Sequence, residues 1–389
     1  MMACLIRSGY SFALVLMLSS ALGLGLPTDD QFANYFKEGV RLQEQGDLQG
    51  ARQAFETALK IRPQRLDALA NLGLVYARLG ENQRAIGCYK KVLAANPRLY
   101  AARFQLGLVY FRAQKFGLAQ RELARVVAAQ PANYQARYLL GLSLLKLNKL
   151  DEAIAELESV RHARPDDLPA ATTLASVYLL AGNYAKFIPL LEILQRYDTA
   201  EAHMSIGSYY AARMQHKNAV REFERALQLD PKLAGLHSQL GYSYLFTRQR
   251  DLARQMFEAE RVLNPRDYNA ISFLGWIYRQ DGREAEAETL LETAARINPK
   301  DPDILYQLAL LAKSKRSYER AISLVNRAVA QRPNFPPFHI LLVQLYYRVN
   351  RLQDAKQEQE VIDKLNQMRQ NQPTVRDRAL YDLITKPTE

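Results

Sequence analysis

Five histidines, two cysteines and several neighbouring carboxylates are the residues of this 389-residue chain best equipped for chemistry. A histidine can act as a general base or a metal ligand, a thiolate as a nucleophile, and a carboxylate pair as acid and base. Their spacing denies them these roles. His203, His237 and His339 fall at one recurring place in a repeated pattern, a unit or more apart. Helices that pack side by side stand about 8 to 10 Å apart, so His203 and His237 are too distant to share a metal without further ligands. Asp151 with Glu152, and Glu284 with Glu286, fall in hairpin turns or on exposed helix faces. No glycine-rich phosphate loop, serine nucleophile elbow or paired-carboxylate constellation stands outside the repeats. Of the cysteines only Cys88 lies beyond the first 26 residues, so a chain that loses that segment has no intrachain disulfide. The expectation is a protein with no catalytic residues, no metal and no cofactor.

Recognition chemistry is better represented. Arg78, Arg112 and Lys146 recur at 34-residue spacing, as do large apolar residues: Phe36, Leu74, Phe104, Leu108, Phe111 and Tyr138 toward the N-terminus, and Tyr242, Trp276 and Tyr306 further on. The interval belongs to a repeat. LGLVY occurs at 72–76 and again at 106–110, and setting its glycine as position 8 extends the register through Gly39, Gly73, Gly107, Gly141, Ala175, Gly207, Gly241, Gly275, Ala309 and Val343. Every step is 34 residues except one of 32. Position 20 is alanine in nine of ten units, position 11 tyrosine in seven and position 32 proline in eight, so chance similarity is excluded.

The apolar positions 4, 7, 8 and 11 make one helical stripe and positions 20, 24 and 27 a second, which predicts two amphipathic helices per unit. Small residues at 8 and 20 allow close approach, and large ones at 7, 11 and 24 fill the space beside them. Glycine or asparagine at position 15, as in Gly46, Gly80, Asn148, Gly182, Gly282 and Asn350, suits a left-handed cap. Proline at position 32 stops the second helix. A single hairpin cannot bury both its faces, so neighbours must stack.

The pattern Leu-Gly-x-x-Tyr, then alanine, an aromatic and proline, resembles the tetratricopeptide repeat family over residues 32–369. The resemblance implies an all-α, right-handed superhelical solenoid of about ten helix hairpins. The family's tryptophan at position 4 is absent, replaced by Tyr35, Leu69, Arg103, Arg137, Ala171, His203, His237, Ile271, Leu305 and His339. The unit at 168–199 is irregular, with Phe187 in place of alanine, Pro189 within its second helix and two residues deleted. It reads either as a tolerated shortening or as a hinge. The last unit ends in the polar DAKQEQEVIDKLNQMRQ, as a solubilising cap would, and residues 370–389 read as a flexible tail.

In the family, positions 2, 5, 9 and 12 of the first helix line a concave surface that holds peptides or helices of partner proteins. By resemblance, the anchors named above line that surface here, flanked by the cation column at position 13. Aromatic anchors are what interfaces use; the competing reading is that these residues pack against neighbouring first helices and that the cations merely offset helix dipoles. The family's clamp for a C-terminal carboxylate is broken by Phe36 and Val40, only Asn71 matching it. The net charge of +12 favours acidic partners, whereas a continuous basic stripe interleaved with stacking aromatics, as nucleic acid requires, is missing.

Residues 1–26 carry one cation, Arg7, before an uncharged apolar run ending in small residues, the layout of a signal peptide or an uncleaved signal anchor. The run is shorter than the roughly 20 residues of a spanning helix. The expectation is an exported protein of the periplasm or cell envelope, with contact to a membrane only through an uncleaved leader. The whole resembles bacterial envelope scaffolds serving secretion, pilus or polysaccharide-export assemblies. A permanently anchored adaptor, or a non-catalytic subunit of a glycosyltransferase or secretion complex, is the alternative.

Overall fold

A computed structural model of the chain describes residues 27–371, all helices and short connections among the described residues. The leader and most of the tail lie outside them. The chain divides into two compact units, the boundary falling between Leu194 and Gln195, at the end of the irregular repeat. The first unit holds α1 (Pro27–Glu44), α2 (Leu48–Ile61), α3 (Leu66–Arg78), α4 (Asn82–Ala95), α5 (Tyr100–Arg112), α6 (Phe116–Ala129), α7 (Tyr134–Lys146), α8 (Leu150–Ala163), α9 (Leu168–Leu180) and α10 (Tyr184–Leu194). The second holds α11 (Ala200–Ala212), α12 (His216–Leu229), α13 (Leu236–Phe246), α14 (Arg250–Leu263), α15 (Tyr268–Gln280), α16 (Glu284–Ile297), α17 (Pro302–Ser314), α18 (Tyr318–Gln331), α19 (Pro336–Arg348) and α20 (Leu352–Asn371). Odd numbers are first helices of a hairpin and even numbers second helices, and within each unit successive hairpins stack into an all-α solenoid of the expected kind.

The hairpins close around position 8. A Cβ on Gly207 would stand 2.6 Å from the Phe223 ring, on Gly241 2.9 Å from Phe257, and on Gly107 and Gly141 2.8 Å from Leu123 and Leu157. In each hairpin the partner is position 24, so the glycine lets a large side chain of the second helix lie flat against the first helix's backbone. Where the partner is smaller, position 8 is larger: buried Ala309 accompanies buried Val325 in the ninth repeat. In the fifth repeat the arrangement is permuted. Position 20 carries the large residue, Phe187, and α10 buries Phe187, Leu190 and Leu194 around the interior Pro189.

All ten residues at position 15 have φ between 57 and 85°. Six are the expected glycines and asparagines; the others are Gln114, Met214, Arg248 and Arg316. The left-handed conformation is imposed by the hydrogen bonds that end the first helix, such as Lys115 N–H to Tyr110 C=O at 2.9 Å and Ser317 N–H to Ala312 C=O at 2.8 Å. Non-glycine residues adopt it at a cost of roughly 1 to 2 kcal/mol.

The absent tryptophan at position 4 is replaced by a polar link across the hairpin. Arg103 pairs with Glu122, Arg137 with Glu156 at 2.6 Å, His203 Nδ1 with Glu222 at 2.7 Å and His339 Nδ1 with Glu358 at 2.6 Å. The carboxylate sits at position 23 each time. Where position 4 is Leu69, Ile271 or Leu305, position 23 is Cys88, Leu290 or Leu324, so the two positions change character together. Between repeats, position-11 tyrosines donate to a glutamate of the preceding second helix: Tyr76 to Glu56 at 2.7 Å, Tyr244 to Glu224 at 2.6 Å, Tyr278 to Glu258 at 3.0 Å.

The seventh repeat breaks the pairing rule. His237 faces Met256 at position 23, and the carboxylate has moved one turn on, to Glu260, which occupies position 27, an aliphatic residue in every other repeat, and is 1% exposed. Glu260 lies near the backbone N–H groups of Gly235 and Ser238 at the start of α13, with His237 Nδ1 4.0 Å away, and neither of its oxygens has a close hydrogen bond. Burial, reinforced by the charge of Asp267, pushes its carboxyl above the usual range; burial pushes His237 below its own.

Two outcomes follow. Gly107→Leu forces its side chain into Leu123, whereas Lys115→Leu changes an exposed turn residue, so Gly107→Leu should lose about 1 to 3 kcal/mol and Lys115→Leu little. Equal urea midpoints for the two variants would contradict the packing described. For Glu260, a folded pKa above the unfolded value means that its stability contribution is present below the unfolded pKa and lost as pH rises through the folded one. The melting-temperature advantage of Glu260→Gln over the parent should therefore grow from pH 4 to pH 8; a constant or shrinking advantage would oppose this.

Candidate partner-binding face

The side of the first helices turned away from their own second helices carries positions 2, 5, 9 and 12, with 6 and 13 at its margins. In the first unit it presents Phe36, Leu74, Phe104, Leu108 and Tyr138, all half-buried, while Phe111 retains 9% exposure. Packing explains the covered fraction. Phe36 stacks on Phe32 and tilts against Phe55, each at 5.8 Å between centroids. Phe111 meets the edge of Phe116 at 5.5 Å. Tyr138 Oη and Thr173 Oγ1 lie 3.0 Å apart, linking α7 to α9. The packing reading holds in part: Phe36 and Phe111 pack within their own hairpins, Tyr138 links neighbouring repeats, and the half-buried side chains keep part of their surface exposed. Arg78, Arg112 and Lys146 are exposed beside them, and none pairs with a carboxylate among the described residues.

The second unit distributes its anchors differently. Trp276, 5% exposed, sits in a buried cluster with Tyr244 and Leu245, its indole N–H lacking an acceptor among the described residues. Tyr306, 7% exposed, packs against Phe338 at 5.4 Å. Both therefore act chiefly as packing residues, because the neighbouring first helix covers them. Tyr242 is half-buried and central to an aromatic group: its ring lies 4.8 Å from Phe246, 5.4 Å from Phe273 and 5.9 Å from His216. Beside it opens a hollow of about 210 Å³ lined by Ala211, Ser238, Gln239, Tyr242, Asn269 and Phe273, from α11, α13 and α15.

Sequence reading missed three cations on this unit's face, Arg279 and Lys313 at position 12 and Arg348 at position 13. The first two are held by neutral acceptors, Arg279 donating to the Gln307 side-chain carbonyl at 2.9 Å and Lys313 to that of Gln344. An amide oxygen satisfies the hydrogen bond while leaving the positive charge uncompensated. Following positions 12 and 13 through the last three repeats, and not only for apolar residues and the column Arg78, Arg112 and Lys146, reveals all three cations.

The reactive residue types are occupied structurally. His203 and His339 hold their hairpins together, and His216 is stacked on Phe246 at 4.1 Å and pushed down to about 4 by burial. Burial lifts the Cys88 thiol to about 11, far from a reactive thiolate at neutral pH. Among the described residues no three histidine, cysteine or carboxylate side chains come together as a metal site, and no helix is long and apolar enough to cross a membrane.

Residues 169–377 match the family profile described as Cilia and flagella-associated protein 70 C-terminal domain. Residues 79–160 match Anaphase-promoting complex, cyclosome, subunit 3, and residues 36–103 and 140–196 match Tetratricopeptide repeat. No curated protein sequence matches the chain. Among solved structures, "MamA AMB-1 P212121" is 26% identical over 44% of this chain and 93% of its own, with a TM-score of 0.41. "Crystal structure of MamA protein" is 24% identical over 52% and 94%, TM-score 0.36, and "Crystal structure of APC/C hetero-tetramer Cut9-Hcn1" is 16% identical over 91% and 89%, TM-score 0.47. With more than half its length matched by the Cilia and flagella-associated protein 70 C-terminal domain and most of the rest by related repeat profiles, the chain belongs to the tetratricopeptide repeat family that this domain represents.

Proposed function

We propose that this chain is a non-enzymatic scaffold, exported to the cell envelope, whose first-helix faces hold an acidic segment of a partner protein. One observation carries the reading. At positions 5, 6, 9, 12 and 13 of the described first helices the charged residues are Lys37, Arg78, Arg112, Lys146, Arg279, Lys313 and Arg348, against the carboxylate Glu44; position 2, in the first turn, adds Asp67, Glu201 and Asp303, of which Asp67 and Asp303 are engaged by Arg65 and Arg332. None of those seven cations is in an ion pair among the described residues, whereas cations elsewhere commonly are: Arg52, Arg84, Arg254 and Arg320 all meet carboxylates. In each unit, cations that no carboxylate pairs with, beside half-buried apolar side chains, suit a ligand that brings carboxylates and apolar groups together. Dipole compensation by the position-13 cations contributes a few tenths of a kcal/mol and is compatible with such binding.

Export rests on the leader-like composition of residues 1–26. N-terminal sequencing of the protein from fractionated cells tests it: a start shortly after the small residues of 19–25 supports an exported form, a start at Met1 in membranes converts the reading to an anchored adaptor, and a cytosolic product removes export.

The binding claim is tested by cross-linking in cell lysates adjusted to a range of salt concentrations, with parent and variant chains. Replacing Arg78, Arg112 and Lys146 together by Gln should leave the melting temperature within a degree or two and cut capture of the partner at least several-fold at low salt. The difference should shrink as salt contracts the screening length from about 8 Å toward 3 Å. Leu108→Ala should weaken capture at all salt concentrations. Capture indifferent to all four changes would overturn the face as the binding site.

A further inference from the structure

We propose that the second unit recognises a segment of ordered chemistry: one apolar side chain seated in the hollow between Tyr242 and Phe273, followed along the solenoid by carboxylates that meet Lys313 and then Arg348. The inference rests on the acidic-partner reading above and specifies it for residues 195–371.

The hollow has the features of a side-chain pocket. Its walls are the Tyr242 and Phe273 rings and the Ala211 methyl group, and its edge is polar. Ser208 Oγ lies within hydrogen-bond reach of both the Met204 C=O and the Gln239 side-chain amide, one end of which it engages, and the exposed Asn269 side chain has no partner among the described residues. Two carboxamides at the rim can hold the backbone of an extended segment whose side chain enters the pocket.

The cations lie to one side of it. Arg279 stands on α15, which also contributes Asn269 and Phe273 to the hollow, while Lys313 on α17 and Arg348 on α19 follow in the next two repeats. Positions 12 and 13 of the sixth and seventh repeats are Ala211, Ala212, Leu245 and Phe246, so the cations at these positions run from the hollow toward the C-terminal end of the unit, and Asp303 at position 2 of α17 is engaged by Arg332. Burial and the nearby Arg348 push the Lys313 ammonium below its usual value, a repulsion that a carboxylate between them would relieve. Packed helices are about 10 Å apart and an extended chain advances about 3.4 Å per residue, giving about three residues per repeat. A carboxylate about four residues from the anchor would reach Lys313, and another about three further on would reach Arg348.

Fluorescence anisotropy on the full chain tests this with labelled ten-residue peptides carrying one leucine and glutamates four and seven residues away, the leucine placed at either end to cover both chain directions. One of the two should bind at least tenfold more tightly than a scrambled peptide of the same composition. Lys313→Gln with Arg348→Gln should abolish that preference, as should Ala211→Leu, which fills the hollow; the charge changes are at the surface and keep the test valid if the filled variant misfolds. Equal binding of ordered and scrambled peptides would overturn the ordered site while leaving the acidic-partner reading. Binding that responds to Arg78, Arg112 and Lys146 but not to Lys313 and Arg348 would do the same. Absence of binding by every peptide would overturn both for this unit.

Discussion

Everything in the two units hangs from the contact between position 8 of a first helix and position 24 of its partner. A glycine there brings a phenylalanine, tyrosine or leucine within van der Waals reach of helix backbone, and a single added methyl group would already overlap it in most hairpins. That contact fixes the hairpin's internal spacing, and hence which residues remain on the outer side of the first helix. The left-handed residue at position 15 completes the constraint. Ten residues hold this conformation, four of them without the freedom of glycine or the local hydrogen bonding of asparagine, so the turn is imposed by the hydrogen bonds that close the first helix rather than chosen by the residue.

A consequence is a partition of charge. Many carboxylates occupy second helices, where they are consumed by the hairpin links at position 23 and by the tyrosine bonds at position 25. The first helices contribute cations to the open side, and those cations find solvent or an amide carbonyl instead of a counter-charge. An overall charge of +12 understates this polarity, because so much of the negative charge is already engaged internally. Two chemistries thus share one scaffold: paired charge that ties the hairpins together, and unpaired charge on the open side.

Much of the fold was legible in the sequence because it depends on residue size at fixed intervals. The glycine register, the proline stops and the alanines at position 20 are signals of this kind. What escaped were features set by the neighbouring repeat. Trp276 and Tyr306 read either as partner anchors or as packing residues against neighbouring first helices, and the sequence left the two open; their burial decides for packing. Periodicity gives direction, not the bulk of whatever lies there. The histidines at position 4 looked unmotivated until their glutamates, 19 residues on, were seen across the hairpin. The displaced carboxylate Glu260, beside the late start of α13 at Leu236, and the hollow beside Tyr242 are local features that no repeat rule anticipates.

The central claim, that the first-helix faces carry the ligand, is met most directly by footprinting lysines. Reductive methylation of the full chain would be followed residue by residue by mass spectrometry, with and without a glutamate-rich peptide. The account predicts slowed modification of Lys37, Lys146 and Lys313, with unchanged rates at Lys60, Lys90 and Lys217 on the second helices. Protection confined to the second helices, or spread evenly over both sets, would contradict it.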